Sequence, residues 1–254
     1  MLKHLLQADF YKLIRLKSFY VITVLMACFA WLILTDLSMY PDSYRSEYDH
    51  FLHVTLWPFE VWQFMPMIMP LGLGIVLCLF VTNEYTYGTI KDPVVLGHSR
   101  LNVFLAKCIT ACIAAVIMML VCVLVSIGTS LLLFDGLVGL PDFQDSMLFL
   151  LRILLMVGLT IALAVLFTTI AFIIRSTAIV MAVHFSVGLF VTIIIGTLFP
   201  PESSMFYAWP ASAMALVSGA LSLEMIGLII AVIVIYMLVS ITVGYVVFAK
   251  RDMK

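Results

Sequence analysis

Charge is scarce in this chain: 11% of its 254 residues are Asp, Glu, Lys or Arg, while 65% are hydrophobic. Soluble domains carry roughly a quarter of charged residues, so this composition argues against one. No glycine-rich phosphate loop ending in Gly-Lys-Ser/Thr occurs, nor a His-Glu-x-x-His zinc helix, nor a Gly-x-Ser-x-Gly nucleophile elbow. Each absence removes the chemistry that needs those groups at that spacing. No two carboxylates lie together deep in an apolar stretch, and the chain is not read as an enzyme. The five cysteines, Cys28, Cys78, Cys108, Cys112 and Cys122, all lie within or beside apolar stretches, which leaves no external disulfide framework. Cys108 and Cys112 share a helix face, but two thiols without His or carboxylate beside them make a poor metal site, and small apolar packing is the plainer reading. The polar connections at 36–60, 84–107, 135–152 and 202–224 are too short for an independent core, which needs about 40 to 50 residues.

What the chain has in abundance is apolar length. Six uncharged stretches, 18–35, 61–83, 108–134, 153–174, 176–201 and 225–249, are each long enough to cross a bilayer. Lipid offers no hydrogen-bond partners to a backbone, so runs of roughly 17 to 25 apolar residues read as helices that satisfy their own amides and carbonyls. The expected fold is therefore an all-α integral membrane protein with six transmembrane helices, forming one membrane domain over 1–254.

The few charges are unevenly placed. With the N-terminus inside, inner segments hold Lys3, Lys12, Arg15, Lys17, Lys91, Arg100, Lys107, Arg175, Lys250, Arg251 and Lys254, leaving only Arg45 and Arg152 outside. Ten acidic residues fall outside, among them Asp36, Glu47, Asp49, Glu60, Asp135, Glu202 and Glu224. The positive-inside rule then places both termini in the cytoplasm. Trp57, Trp62 and Trp209 fall at outer helix ends or loops, where amphipathic rings prefer the headgroup layer.

Before the first crossing, Leu2, Leu5, Leu6, Phe10, Leu13 and Ile14 recur at helical spacing with Lys3, Lys12, Arg15 and Lys17 between and after them. This predicts an amphipathic interfacial helix over 2–17, lying on anionic lipid of the inner leaflet or bracing a cytoplasmic partner. Several apolar-region features carry a sharper and a plainer reading. His184 is the one ionisable group other than cysteine well inside a crossing. It could relay a proton, but a neutral imidazole bonded to a neighbouring helix is the commoner arrangement. Ala178, Ala182 and Ser186 make a ridge of small residues at intervals of four that lets helices approach closely. Met65, Met67 and Met69, set between Pro66 and Pro70, offer pliable surface on a bent helix, suited to a greasy substrate or simply to core packing. Glu47, Asp49, His50 and His53 could gather a metal, though an interfacial helix with solvated polar groups is the simpler account, and no metal is expected.

The most informative connection is 84–107. Glu84 ends a long apolar run, where a carboxylate is tolerated only if it reaches water or a partner. It is followed by Gly88-Thr89-Ile90-Lys91, a turn with Ser99-Arg100, and Lys107. This pattern resembles the first cytoplasmic loop of type 2 permeases of ATP-binding-cassette exporters, and Lys12 to Ser18 is similar to the helix that precedes their first crossing. Six crossings and inward termini agree, so the resemblance spans essentially the whole chain. It looks most like the small bacterial permeases of bacitracin resistance, lantibiotic immunity, sodium export and amphipathic-peptide export.

The resemblance implies a half-transporter of the bacterial plasma membrane. Two permease chains, identical or related, would each dock by a coupling helix onto a separate ATPase subunit, with ATP and magnesium bound there and no cofactor on this chain. It assigns Glu84 and Gly88 to force transmission, Thr89, Ile90 and Lys91 to the surface meeting the ATPase, and Arg100 to closing the loop. It suggests the Ala178, Ala182 and Ser186 ridge as a seam with the twin permease and short re-entrant outer helices after Pro200. Hydrophobic or amphipathic peptides are the expected cargo, along a path including Met65, Met67 and Met69. Asp92-Pro93 departs from the pattern: the coupling helix either ends at Lys91, or a second short helix starts with Asp92 as cap and Pro93 at its first position. Lipid is an expected partner and nucleic acid is not. An ion-coupled secondary transporter, or a structural or sensory membrane protein, is the alternative reading; internal repeats and midplane charges typical of the former are not seen.

Overall fold

The computed structural model describes residues 2–38, 57–133, 143–200, 203–217 and 221–250. Every described apolar stretch is helical. The order is α1 (Leu2–Arg15), α2 (Lys17–Ser38), α3 (Trp57–Thr86), a 3-10 turn (Thr89–Lys91), α4 (Asp92–Val95), α5 (Arg100–Leu133) and α6 (Phe143–Ile174). Then come α7 (Thr177–Phe185), a π-helical turn (Ser186–Val191) and α8 (Thr192–Leu198), which together make one crossing. Two short helices, α9 (Ser204–Tyr207) and α10 (Pro210–Val217), precede the last long one, α11 (Leu223–Lys250). Among the described residues five helices are long and apolar enough to cross a membrane, with α2 beside the bent α1 a sixth candidate, and the all-α bundle matches the expected fold class.

Boundaries shift where hydropathy is blind. Helix α5 starts at Arg100 rather than 108, and α6 at Phe143 rather than 153. Apolarity reports only the part of a helix that meets lipid, whereas the backbone hydrogen-bond ladder continues into polar surroundings at no penalty. Helix α8 stops at Leu198 instead of 201, because Phe199 is extended (φ −118°, ψ 127°) ahead of Pro200, as a residue preceding proline prefers.

Helices α3, α5 and α6 form the centre, with α11 laid along α6 and α2 against α5. Burial grades outward: 72% of the apolar window of α3 lies inside the bundle, against 17% for the α7–α8 crossing and 11% for α11. Polar side chains are handled economically. Thr23, Thr82, Thr110, Ser126, Thr160 and Thr168 each donate a hydroxyl to the carbonyl four residues back on their own helix, which satisfies the hydroxyl without a partner helix. Between α1 and α2 the chain turns by 62°, so α1 lies across the end of the bundle that α2 climbs.

The segment after Pro200 folds back into the bundle. Helix α10 packs against α3 and α6 and buries Ala211, Ala213 and Met214 completely. Trp209, expected at the headgroup layer, is instead an internal bolt: its indole N–H donates to Thr192 Oγ1 at 2.9 Å and its ring meets Tyr236 edge-on. The candidate metal residues Glu47, Asp49, His50 and His53 lie outside the described residues.

At one end of the bundle Phe104 of α5, Phe172 of α6 and Phe248 of α11 form an aromatic knot, with Phe104 and Phe172 centroids 5.1 Å apart. Gly244 permits this close approach, since a Cβ there would stand 2.5 Å from Phe104 Cζ and 3.0 Å from Thr169 Oγ1. Phe104 is fully buried and has nowhere to yield. Gly244→Ala is therefore expected to cost about 1 to 3 kcal/mol, while Gly227→Ala on the same helix, facing open space, should cost nothing. Thermal melts of the two variants in detergent test this; equal melts would show that the close approach is not needed.

Candidate functional site

The loop between α3 and α5 is a rigid two-turn structure. Gly88 takes φ +69°, the left-handed conformation that frees the chain from α3. After the 3-10 turn a second short helix, α4, does form, but Asp92 is its first residue and Lys91 the cap position, one residue earlier than the alternative set out from sequence. It closes on Gly97 (φ +89°), with Gly97 N–H donating to Val94 O and His98 N–H to Pro93 O, the double bond pattern of a Schellman end. Ser99 then caps α5, its Oγ accepting from Asn102 N–H at 3.3 Å. Arg100 donates from Nη1 to Ala249 O at 2.8 Å, so it pins the loop to the C-terminal carbonyls of α11, where a cation is favoured.

The side chains at the loop divide into two sets. Tyr87, Val95 and Leu96 are 78%, 81% and 77% exposed, an apolar tip flanked by exposed Lys91 and Asp92. Ile90, assigned by resemblance to the surface that meets a partner, is turned inward and only 5% exposed. It anchors the loop instead, because a single 3-10 turn cannot present three consecutive side chains on one face. Tyr87, Val95 and Leu96 were missed; their signal was an apolar residue at each turn of a polar loop.

Beneath the tip lies a buried set of charges. Lys107, its side chain 2% exposed, donates from Nζ to Asp9 Oδ1 and to Glu84 Oε1, both at 2.6 Å. Lys12 Nζ reaches the same Glu84 oxygen at 2.7 Å. The ammonium of Lys107 also sits 4.5 Å from the Phe80 ring centroid, a cation on a π face. Two lysines thus meet two carboxylates, and the cluster is neutral as a whole. Burial pushes the Asp9 carboxyl upward from its usual range, and its lysine partner only partly reverses this. Glu84 was legible because it ended an apolar run. Asp9 was not singled out, although it interrupts the stripe Leu5, Asp9, Leu13 that α1 buries.

The remaining candidates are dispersed. Ala178, Ala182 and Ser186 are all exposed on α7 and the π turn, with Ala182 and Ser186 lining an open groove beside Leu71 and Ile75 of α3. Met65 and Met69 are buried and, with Met119, Met156 and Met214, line a central cavity of about 10 Å³, room for one water at most. Met67 points the other way and is 48% exposed, so the three methionines do not form one wall. His184 is 1% exposed, Nδ1 2.9 Å from Gly74 O and Nε2 3.0 Å from Phe167 O. Both neighbours are carbonyl oxygens, which only accept, so a neutral ring donates to one of them; either bond joins α7 to a neighbouring helix, as in the plainer of its two sequence readings.

Removing one member of a buried ion cluster leaves the others uncompensated, at a cost of about 3 to 5 kcal/mol. Lys107→Met is expected to reach that range, whereas Asp9→Asn combined with Lys107→Met, which leaves Glu84 with Lys12, should lose less than the single change. Unfolding midpoints of both variants in detergent check the order; a double variant weaker than the single would remove the cluster as a unit.

The chain matches the family described as ABC-2 family transporter protein over residues 5–198, well over half its length and including α1, the loop and the first five crossings. Among curated proteins none matches it. Multiple apolar helices and the family match agree on a multi-pass membrane protein that is the membrane component of a transporter. The chain belongs to the ABC-2 family of transporter permeases.

Proposed function

We propose that this permease forms the translocation half of an ATP-binding-cassette exporter and borrows its hydrolysis from a separate ATPase subunit docked on the loop between α3 and α5. The observation that carries this reading is the tip: Tyr87, Val95 and Leu96 stand exposed on a loop whose base is fixed by Ile90, Arg100 and a buried ion cluster. An apolar patch on a rigid, polar-rimmed support suits a protein partner, since a soft loop would give way under load. Glu84 and Gly88 belong to the support, Thr89 and Lys91 to the rim. ATP and magnesium stay on the partner.

The end carrying the loop is the basic end, which supports a cytoplasmic position for it and for both termini in a bacterial plasma membrane. The outward faces of α2, α7–α8 and α11 are apolar over their length; the ridge of Ala178, Ala182 and Ser186 offers the closest approach to a second permease chain, and lipid covers the rest. The Met-lined centre is closed in this conformation, so cargo passes only after helices part. Hydrophobic or amphipathic peptides are the cargo class that such a thioether-rich interior accommodates best. Ion-coupled transport lacks a comparable support, because His184 is enclosed and its two ring nitrogens face backbone carbonyls rather than a second ionisable side chain.

Gentle purification of the tagged permease from native membranes is expected to bring down a stoichiometric ATPase subunit. Val95→Asp with Leu96→Asp should weaken that association by about 2 kcal/mol or more, as loss of an interface anchor does, without changing the permease's melting. Undiminished recovery of the ATPase with the double variant would place the docking elsewhere.

A further inference from the structure

The geometry points to α1 as a moving part of the transporter: Lys107, held between Asp9 and Glu84, fixes the interfacial helix to both ends of the docking loop, making Asp9 and Lys107 positioning residues for the coupled motion. This rests on the docking reading above and adds to it a second element that must follow the loop.

Three elements meet at one ammonium. Glu84 belongs to the last turn of α3, Lys107 to the second turn of α5, and Asp9 to the middle of α1. The loop hangs between the first two, so any displacement of its base moves the acceptor and donor that hold Asp9. Apolar contacts alone would not transmit such a shift faithfully. Leu5 and Leu13 of α1 are buried beside Asp9, and greasy side chains slide over one another with little change in energy, because burial is non-directional. An ion cluster is directional. Sliding α1 along α5 would leave Lys107, 2% exposed, facing an apolar wall with its charge uncompensated, which is strongly unfavourable. The cluster therefore sets register, and α1 and the loop base shift together.

Lys12 makes the tie two-legged. It holds Glu84 from the next turn of α1, so Asp9 and Lys12 grip opposite partners with opposite charge. A shift that relieved one pair would strain the other. On its far side α1 exposes Phe10, Tyr11 and Ile14, with the Arg15 guanidinium 4.4 Å from the Tyr11 ring centroid, a face suited to the headgroup boundary. Beyond Leu16 the chain continues directly into α2 through a single bend. A loop movement is thus delivered to the first crossing by way of α1, in addition to the direct route through α3 and α5.

The test uses the permease with its ATPase subunit in lipid nanodiscs and follows amide hydrogen exchange without nucleotide and with ADP and vanadate. In the unmodified complex, exchange is expected to change over 84–107 and over 2–15 together. With Asp9→Asn and Lys12→Gln combined, which removes both α1 legs and leaves Lys107 with Glu84, the change over 84–107 persists and that over 2–15 is lost; Asp9→Asn alone weakens the response over 2–15 if the double variant does not assemble. Asp9→Glu, which keeps the charge, retains the response of both segments, an outcome that a merely space-filling role for Asp9 would not distinguish from Asp9→Asn. A response over 2–15 that survives neutralisation, or that is missing from the unmodified complex while the loop responds, overturns the tie and leaves the docking reading standing. No response over 84–107 in the unmodified complex overturns the docking reading and the tie with it.

Discussion

The ammonium of Lys107 is the point on which the basic end of this permease depends. A lysine so thoroughly removed from water is tolerated only with anionic partners in hydrogen-bond geometry, and the chain supplies two, from helices 98 and 23 residues away in sequence. Satisfying that demand brings α1, the end of α3 and the start of α5 into one block. The loop rises from this block, and its conformation follows from local chemistry: a left-handed glycine at each end of the paired turns, a serine cap on α5, and Arg100 on the carbonyl end of α11.

Above that block the interior is built on different terms. Hydroxyls bond back to their own helices, leaving few interhelical hydrogen bonds, among them Thr169 to Ser240 O and Thr177 to Thr82. Van der Waals fit between small and large residues holds α3, α5, α6 and α11 together, as at Gly244 against Phe104, and lipid gives no hydrophobic drive to do more. Such a bundle is rigid where aromatic rings interlock and pliable where methionines meet. The knot of Phe104, Phe172 and Phe248 sits at the charged end; the methionine-lined cavity sits deeper, between α3, α5, α6 and α10.

Much of the fold was legible because membrane helices announce themselves: a run of apolar residues has one backbone solution in lipid, and the six runs took it over their described residues apart from Ser176, Phe199 and Pro200. In the loop Glu84 was legible, because a charge that ends an apolar run needs water or a partner; the left-handed turn at Gly88 was not read. Asp9 was not, since one acidic residue on an amphipathic helix reads as an ordinary polar position until its neighbours on the buried face are known. Ile90 turns inward where the resemblance put it on the surface, and Met67 points away from Met65 and Met69. Ile90 sits in a 3-10 turn, where side-chain direction does not follow α-helical spacing, whereas Met67, two residues from Met65 and from Met69, falls on the other side of α3 as helical spacing requires.

By itself the sequence determined that this is an all-helical membrane permease with a short polar loop bracketed by Glu84 and Lys107, because lipid leaves the backbone no other way to satisfy its hydrogen bonds. Only the tertiary structure decided who answers those charges, which residues of the loop face outward, and that Trp209 bolts the returning segment into the bundle. Those choices depend on contacts between residues far apart in the chain, and burial converts each of them from a neutral surface preference into a condition for folding.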